Sequence, residues 1–124
     1  MGFSFGPERR IKRRADFLHV QAVGQRASSA HFVLLVAARP ELGCARLGIV
    51  VTKKIGNAVH RNRIKRLCRE CFRLWPDFVP DGIDLVVIAR SGAAELGLEE
   101  VRVEWARARP SLLKRCAAVL DHKK

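Results

Sequence analysis

Residues 50–72, VVTKKIGNAVHRNRIKRLCRECF, join an apolar, strand-like run to a strongly cationic helix, and this junction constrains the fold more than any other part of the chain. Apolar residues recur there at intervals of three and four, the spacing of one buried helix face; they are Ile64, Leu67, Cys68, Cys71, Phe72 and Trp75. Asn57 is predicted to be the N-cap, because its side-chain oxygen can accept a first-turn amide. Pro76 stops the helix, since proline lacks an amide hydrogen.

The helix face beside the apolar one is cationic. At about 100° per residue with Arg61 as zero, the apolar set spans about 240° to 20°, and a polar set spans about 40° to 140°: Lys65, Arg69, Asn62, Arg73 and Arg66. A solvated basic face is one interpretation. However, the segment from Lys53 to Arg73 contains eight Lys or Arg and only one acid, Glu70. Contact with nucleic acid is therefore favoured.

The charge of the whole chain is equally uneven. The net charge is +12, and residues 1–73 hold 16 Lys or Arg and 4 acids, whereas residues 74–124 hold 8 of each. This asymmetry predicts a polyanionic partner bound by the N-terminal region and the central helix. A length of 124 residues fits one domain. We place it at residues 9–120, between a flexible N-terminus at 1–8 and a frayed C-terminus at 121–124.

Three apolar runs predict strands, and they are Ser28 to Arg39, Arg46 to Thr52 and Ile83 to Ala89. Residues 40–43 are expected to form a hairpin loop between the first two. The order of strand, central helix and strand predicts parallel neighbours on either side of that helix.

Two further helices flank these elements. A short one is predicted at residues 14–23, ended by Gly24, and a long one fills the last third of the chain. Pro110 should kink or break the long helix. Its charges are mixed in sign, so this helix is expected to be scaffold and not an RNA contact.

The cysteines and histidines do not form a convincing zinc site or catalytic site. Cys68 and Cys71 have the CxxC spacing of a zinc-ligand pair, but both lie on the apolar helix face, and Cys44 and Cys116 add no second pair. Buried thiols in a reducing compartment are the favoured interpretation. His60 has no carboxylate nearby to orient its ring, so no catalytic residue and no metal site are expected in the protein, although a protein-only nuclease remains an alternative.

Residues 1–8 contain no apolar signal region, and no run reaches the length of a membrane span. We therefore expect a cytoplasmic protein with neither a membrane partner nor a small-molecule substrate.

The string KKIGNAVHRNRIKRLCRE, with Arg61-Asn62-Arg63 at its centre, closely resembles the signature of the bacterial ribonuclease P protein component. The resemblance extends to Arg10-Ile11-Lys12, Asp16-Phe17, Phe32-Val33-Leu34 and the run from Ile83 to Arg90, and so covers most of residues 9–90. It implies an α+β fold of two layers, a four-stranded mixed sheet packed with helices. It also implies a left-handed strand-helix-strand crossover, an exception to the usual right-handed rule.

The resemblance also implies a function. The protein would be a subunit of the ribonucleoprotein endonuclease that removes 5′ leaders from precursor tRNA. Its partners would be the ribonuclease P RNA and precursor tRNA, and the RNA subunit would perform catalysis with Mg²⁺ bound mainly by that RNA. A ribosomal or ribosome-assembly RNA-binding protein remains an alternative, since fold and charge alone do not fix function.

Two groups of site residues follow from the resemblance. The first would bind the RNA subunit, and we call it the helix surface: Lys53, Lys54, Asn57, Arg61, Asn62, Arg63, Lys65, Arg66 and Arg69. The second would line a cleft over the sheet that receives the single-stranded leader: Arg14, Phe17, Gln21, Phe32 and Leu35. Gln21 and Leu35 stand where many family members carry aromatic residues, so leader stacking is expected to differ here.

Overall fold

The computed structural model describes residues 9–121, apart from the side chain of Leu42. In chain order the helices and strands are α1 Arg14–Val23, β1 Gln25–Ser28, β2 Phe32–Ala38, β3 Arg46–Val50, α2 Ala58–Arg73, β4 Ile83–Ala89 and α3 Leu98–Asp121. The bounds predicted for α1 are confirmed. The predicted flexible segment 1–8 and residues 122–124 lie outside the described residues, whereas Asp121 still belongs to α3.

The four strands form one mixed sheet in the order β1-β2-β4-β3. Strands β3 and β4 are parallel, which confirms the prediction made from the strand-helix-strand order. The predicted hairpin at residues 40–43 is wrong, because β4 lies between β2 and β3 and pairs with β2 along its whole length. Apart from Asp84, strand β4 is apolar on both faces, and the middle of a sheet buries both faces. The left-handed sense of the crossover stays a prediction.

The predicted strand from Ser28 to Arg39 contains β2, and its first residue, Ser28, is the last residue of β1, which forms a hairpin with β2. The turn between them is fastened to α3 by Glu104, whose carboxylate accepts hydrogen bonds from the Ser29 hydroxyl at 2.7 Å and from the His31 amide at 3.0 Å. The His31 ring also pairs with it. Partial burial would raise the pKa of Glu104, but these hydrogen bonds outweigh burial and lower it. The turn is therefore anchored by an ionised carboxylate.

The alternation of side chains along β2 divides the core between the two faces of the sheet. Phe32, Leu34 and Val36 face α2 and α3 and belong to the larger cluster, which contains Trp105. Val33, Leu35 and Ala37 face the other way, where α1 covers the sheet through Val20. Phe32 is 1% exposed, and its ring meets Trp105 edge-on. The prediction that Phe32 lines the cleft is therefore wrong, because the cleft lies on the α1 face.

Helix α3 is continuous through Pro110, so a break there is wrong, and the alternative of a kink stays a prediction. Pro110 is exposed, and the residue before it, Arg109, forms two hydrogen bonds outside the helix. Arg109 donates through Nε to the Phe78 carbonyl at 3.0 Å and through Nη2 to the Asp77 carbonyl at 2.9 Å. These tertiary contacts hold α3 in place where proline removes one helical hydrogen bond. Among residues 9–121 no helix combines the length and the apolar character that a membrane span requires.

A buried ionic network, formed by Asp84, Arg46, Asp16 and Arg39, ties α1 to the sheet; we call it the Asp84 network. Asp84 in β4 is fully buried, and Arg46 binds both of its oxygens, with Nε at 2.8 Å and Nη2 at 2.7 Å. Asp16 of α1 accepts from Arg39 at 2.6 Å and from Arg46 at 3.4 Å. Strands β3 and β4, the residue that follows β2, and α1 thus share one set of charges.

Replacing Asp84 with asparagine should destabilise the fold. Asp84→Asn keeps the shape but leaves buried arginine nitrogens without their charged acceptor, so we expect the free energy of unfolding to fall by about 3 kcal/mol. Urea denaturation measures this change. Glu41→Gln is the control, because Glu41 also lies near Arg39, at 3.6 Å, but is 63% exposed. We expect Glu41→Gln to lower the free energy of unfolding by less than about 0.5 kcal/mol. Equal stability of Asp84→Asn and wild type would contradict this role of the network.

Candidate nucleic-acid interface

The corner between β3 and α2 has the geometry predicted from the sequence. Asn57 caps α2, with its side-chain oxygen accepting the His60 amide at 3.0 Å. A 3₁₀ turn at Lys53–Ile55 precedes it and leaves Lys53 and Lys54 exposed. The cap fixes where the helix begins. It therefore also fixes where the cations of the following turns project.

Helix α2 is buried on one side and cationic on the other. Ile64, Cys68, Cys71 and Phe72 enter the core. The helix surface residues Asn62, Arg66 and Arg69 are exposed, and Arg61 and Lys65 are half-buried. Within residues 9–121, no carboxylate forms an ion pair with any of the four cations Arg61, Lys65, Arg66 and Arg69.

The single acid of α2 does not offset this charge. Glu70 accepts from Arg73 Nε at 3.2 Å, and a second nitrogen of Arg73 also pairs with it. The hydrogen bond from Arg73 lowers the pKa of Glu70, so the acid is ionised and neutralised locally. The net positive charge of the rest of the helix surface remains available to a polyanion.

Arg63 stands apart from the other cations. At about 100° per residue it projects about 200° from Arg61, beyond the main cationic face. Its Nη1 donates to the Ala94 carbonyl at 2.7 Å, which ties α2 to the 3₁₀ turn at Ala93–Glu95. Arg63 therefore supports the fold on the flank of the helix surface, and this contact uses one of the five N–H donors of its guanidinium.

The N-terminal segment brings further cations to the same side. Residues 9–12 run beside β3, with the Ile11 amide donating to the Leu47 carbonyl at 2.9 Å. Arg9 anchors the segment through the Ala45 carbonyl at 3.2 Å and lies 5.0 Å above the Phe72 ring. Arg10 and Lys12 consequently line one depression together with Lys65 and Arg69 of α2.

Phe17 forms the floor of this depression because Gly48 leaves room for its ring. A Cβ atom at Gly48 would lie 2.5 Å from Phe17 Cε1, so any side chain there would displace the ring. Glycine inside a strand often marks such a close approach. This signal was present in the sequence, and it could have located the floor of the cleft.

The cleft is continuous with the helix surface. Phe17, Lys12 and Lys65 line both the depression beside α2 and a second one along α1, which also contains Arg14 and Gln21. Gln21 in turn borders a third depression that contains Leu35. The structure therefore brings four of the five predicted cleft residues together, and Phe32 is the exception, on the opposite face.

Cys68, Cys71 and Cys116 are buried thiols, as the sequence predicted for the two on α2. Burial raises the pKa of Cys71 to about 12 and that of Cys116 to about 11, and it raises the pKa of Cys68 further. These buried thiols therefore stay protonated at neutral pH. In the described part of the chain no three potential metal ligands cluster. His60 is exposed at the first turn of α2.

Comparison with known proteins identifies relatives over most of the chain. The family model for ribonuclease P matches residues 5–115. The ribonuclease P protein component of Syntrophus aciditrophicus is 44% identical over 92 residues, which cover 74% of this chain and 76% of the relative. That of Brevibacillus brevis is 47% identical over 95 residues, covering 74% and 73%. The solved structure of the Staphylococcus aureus RNase P protein superposes with a TM-score of 0.74 at 35% identity, covering 81% of this chain and 91% of that one.

Charge reversal on the helix surface should weaken RNA binding. For Arg66→Glu/Arg69→Glu we expect at least a tenfold loss of affinity for structured RNA and a salt dependence flatter by roughly 0.9 in log–log slope for each lost phosphate contact. Filter binding across a salt series measures both.

The matched control is Arg102→Glu/Arg107→Glu on α3, which changes the net charge equally at two exposed positions. We expect it to cost little affinity. Equal losses in the two double variants would mean that net charge, and not the helix surface, determines binding.

Proposed function

The chain belongs to the ribonuclease P protein family and is a protein component of that tRNA-processing ribonuclease, and from this we propose how it divides its surface between two RNAs. The helix surface binds the RNA subunit, and the cleft binds the single-stranded 5′ leader of precursor tRNA. The family assignment favours this role over the ribosomal alternative.

The observation that carries this proposal is the continuity of the two surfaces. Lys65 and Arg69 of α2 border the depression floored by Phe17. An RNA subunit on α2 and a leader in the cleft would therefore approach within one patch of positive charge. Two polyanions repel each other, and lysine and arginine offset the repulsion by releasing condensed counterions. The protein would then favour the ternary complex without taking part in bond cleavage.

The cleft suits a single strand of low sequence preference. Phe17 offers a ring for stacking, and Lys12 and Arg14 offer charges for phosphates. Gln21 and Leu35 supply an amide and an apolar surface in place of further rings. Stacking contributes about 1–3 kcal/mol per base. Stacking on this protein would therefore be concentrated at one ring.

We assign hydrolysis to the RNA subunit, with Mg²⁺ bound mainly by that RNA. The described residues that line the cleft are basic, amide or apolar, and none is a carboxylate that could hold Mg²⁺. The nearby Asp16 is engaged by Arg39 and Arg46. Precursor tRNA is the substrate, and we place the reaction in the cytoplasm.

Cleavage of precursor tRNA at low magnesium tests the proposal. The comparison uses the RNA subunit alone, the protein alone and both together. We expect cleavage at the mature 5′ end to be much faster with both, and no cleavage by the protein alone. A folded, RNA-binding protein that fails to stimulate would contradict the proposal. Cleavage by the protein alone, abolished in His60→Ala, would instead identify a protein-only nuclease.

Removal of the Phe17 ring should affect substrates whose leader is long enough to reach the cleft. For Phe17→Ala we expect kcat/KM to fall about tenfold with a leader of several nucleotides, in keeping with one lost stacking contact. A substrate with a one-nucleotide leader should change less than about twofold. Gly48→Ala should act in the same direction, because its methyl group would displace the ring.

His19→Ala is the control on the same helix, since His19 is exposed and does not border the cleft. Thermal unfolding of each variant separates loss of the ring from loss of fold. A Phe17→Ala defect of equal size at both leader lengths would show that the ring acts only as core.

A further inference from the structure

The cleft does not end at Gln21, and α3 contributes to its far end. The third depression lies between α1, the sheet and α3, and it is lined by Gln21, Gly24, Gln25, Arg26, Leu35, Ile88 and Arg115. Arg26 belongs to β1, and Arg115 belongs to the C-terminal half of α3. Two cations from separate elements therefore meet at the end of the cleft farthest from α2.

The strand register shows that the cleft crosses the whole sheet. Val50 of β3 pairs with Ile88 of β4, and Leu35 of β2 pairs with Arg26 of β1. Three gaps of about 4.8 Å separate the outer strands, which gives a path of about 14 Å. A stacked single strand advances about 3.4 Å per nucleotide, so about four nucleotides would span it.

Both arginines are oriented toward this end of the cleft. Ala27 of β1 enters the core under α3, so the alternation of the strand turns Arg26 to the opposite face, beside Leu35. Arg115 comes from the α3 side and donates through Nε to the Arg26 carbonyl at 3.3 Å. Both are exposed, and within residues 9–121 neither forms an ion pair with a carboxylate.

We propose that Arg26 and Arg115 bind backbone phosphates of the leader about four or more nucleotides upstream of the cleavage site. This inference rests on the proposed function, in which the RNA subunit lies on α2 and performs the hydrolysis, so that the cleavage site lies at the α2 end. The leader enters the cleft there through its 3′ end, so the β1 edge meets its upstream nucleotides. Helix α3 is then part of the substrate-binding surface and not scaffold alone.

The test is a leader-length series with the reconstituted holoenzyme. Precursor tRNAs with leaders of about two, six and twelve nucleotides bracket the four-nucleotide path. For Arg26→Gln/Arg115→Gln we expect kcat/KM to fall about three- to tenfold with the two longer leaders and less than twofold with the shortest, since each mutation removes one phosphate contact. Against log salt, the slope of log kcat/KM for the longest leader should flatten by roughly 1.4, about 0.7 for each contact.

Two matched variants separate charge from structure. Arg115→Lys keeps a cation and should recover most of the loss that Arg115→Gln causes. Arg107→Gln removes an exposed charge elsewhere on α3 and should leave the length dependence unchanged. A loss of equal size at all leader lengths, or no loss at all, would overturn the inference.

The outcomes also distinguish this inference from the function on which it rests. Failure of the wild-type protein to stimulate the RNA subunit would overturn the proposed function and this inference together. Normal stimulation by wild type with a length-independent defect in the double variant would overturn only the leader contact. It would then assign Arg115 to covering the exposed edge of β1.

Discussion

The buried carboxylate of Asp84 is the interaction on which the geometry of the cleft depends. A charge removed from water must be paired and hydrogen-bonded, and Arg46 satisfies Asp84 with two contacts of 2.7 and 2.8 Å. Arg46 and Arg39 also bind Asp16, so the position of α1 is set by the same network. Phe17, the next residue, is thereby held over Gly48. A buried ionic contact in the sheet thus places the ring that floors the cleft.

The second constraint is the sharp corner from β3 into α2. The Asn57 cap fixes the start of the helix, and the buried Ile64 and Cys68 fix its rotation. Arg61, Lys65, Arg66 and Arg69 are thus aligned on the outer side without acidic partners among the described residues, at a cost in self-repulsion that an RNA would relieve. Lys65 belongs to the helix surface and also lines the two depressions that Phe17 borders. On the proposed function, one domain of about a hundred residues would therefore present a single surface to two RNAs.

Features set by nearby residues could be predicted from the sequence. The Asn57 cap, the buried face of α2 and the bounds of α1 depend on spacing within a few turns, and the structure confirms them. The order in which the strands pair in the sheet could not be predicted from nearby residues. The supposed hairpin at residues 40–43 failed because β4 inserts from much later in the chain. Phe32 was misplaced for a related reason, since the sequence alone did not show which face of β2 lies under α3.

Long-range polar contacts were the least predictable part of the site. The partners Arg46 and Asp84 are 38 residues apart, and Arg26 and Arg115 are 89 apart. No local pattern marks either pair. Gly48 is different, because a glycine inside a strand was a usable sign of close approach. The family resemblance supplied what local patterns could not, namely the number of strands and the presence of a cleft.

Site-specific photo-crosslinking in the assembled holoenzyme would test the division of the surface most directly. A photoreactive amino acid would replace either Gln21 in the cleft or Asn62 on α2, both of which are exposed. Position 21 should crosslink to the precursor leader and position 62 to the RNA subunit. Crosslinks from position 21 to the RNA subunit, or from position 62 to the leader, would contradict the assignment of the two surfaces.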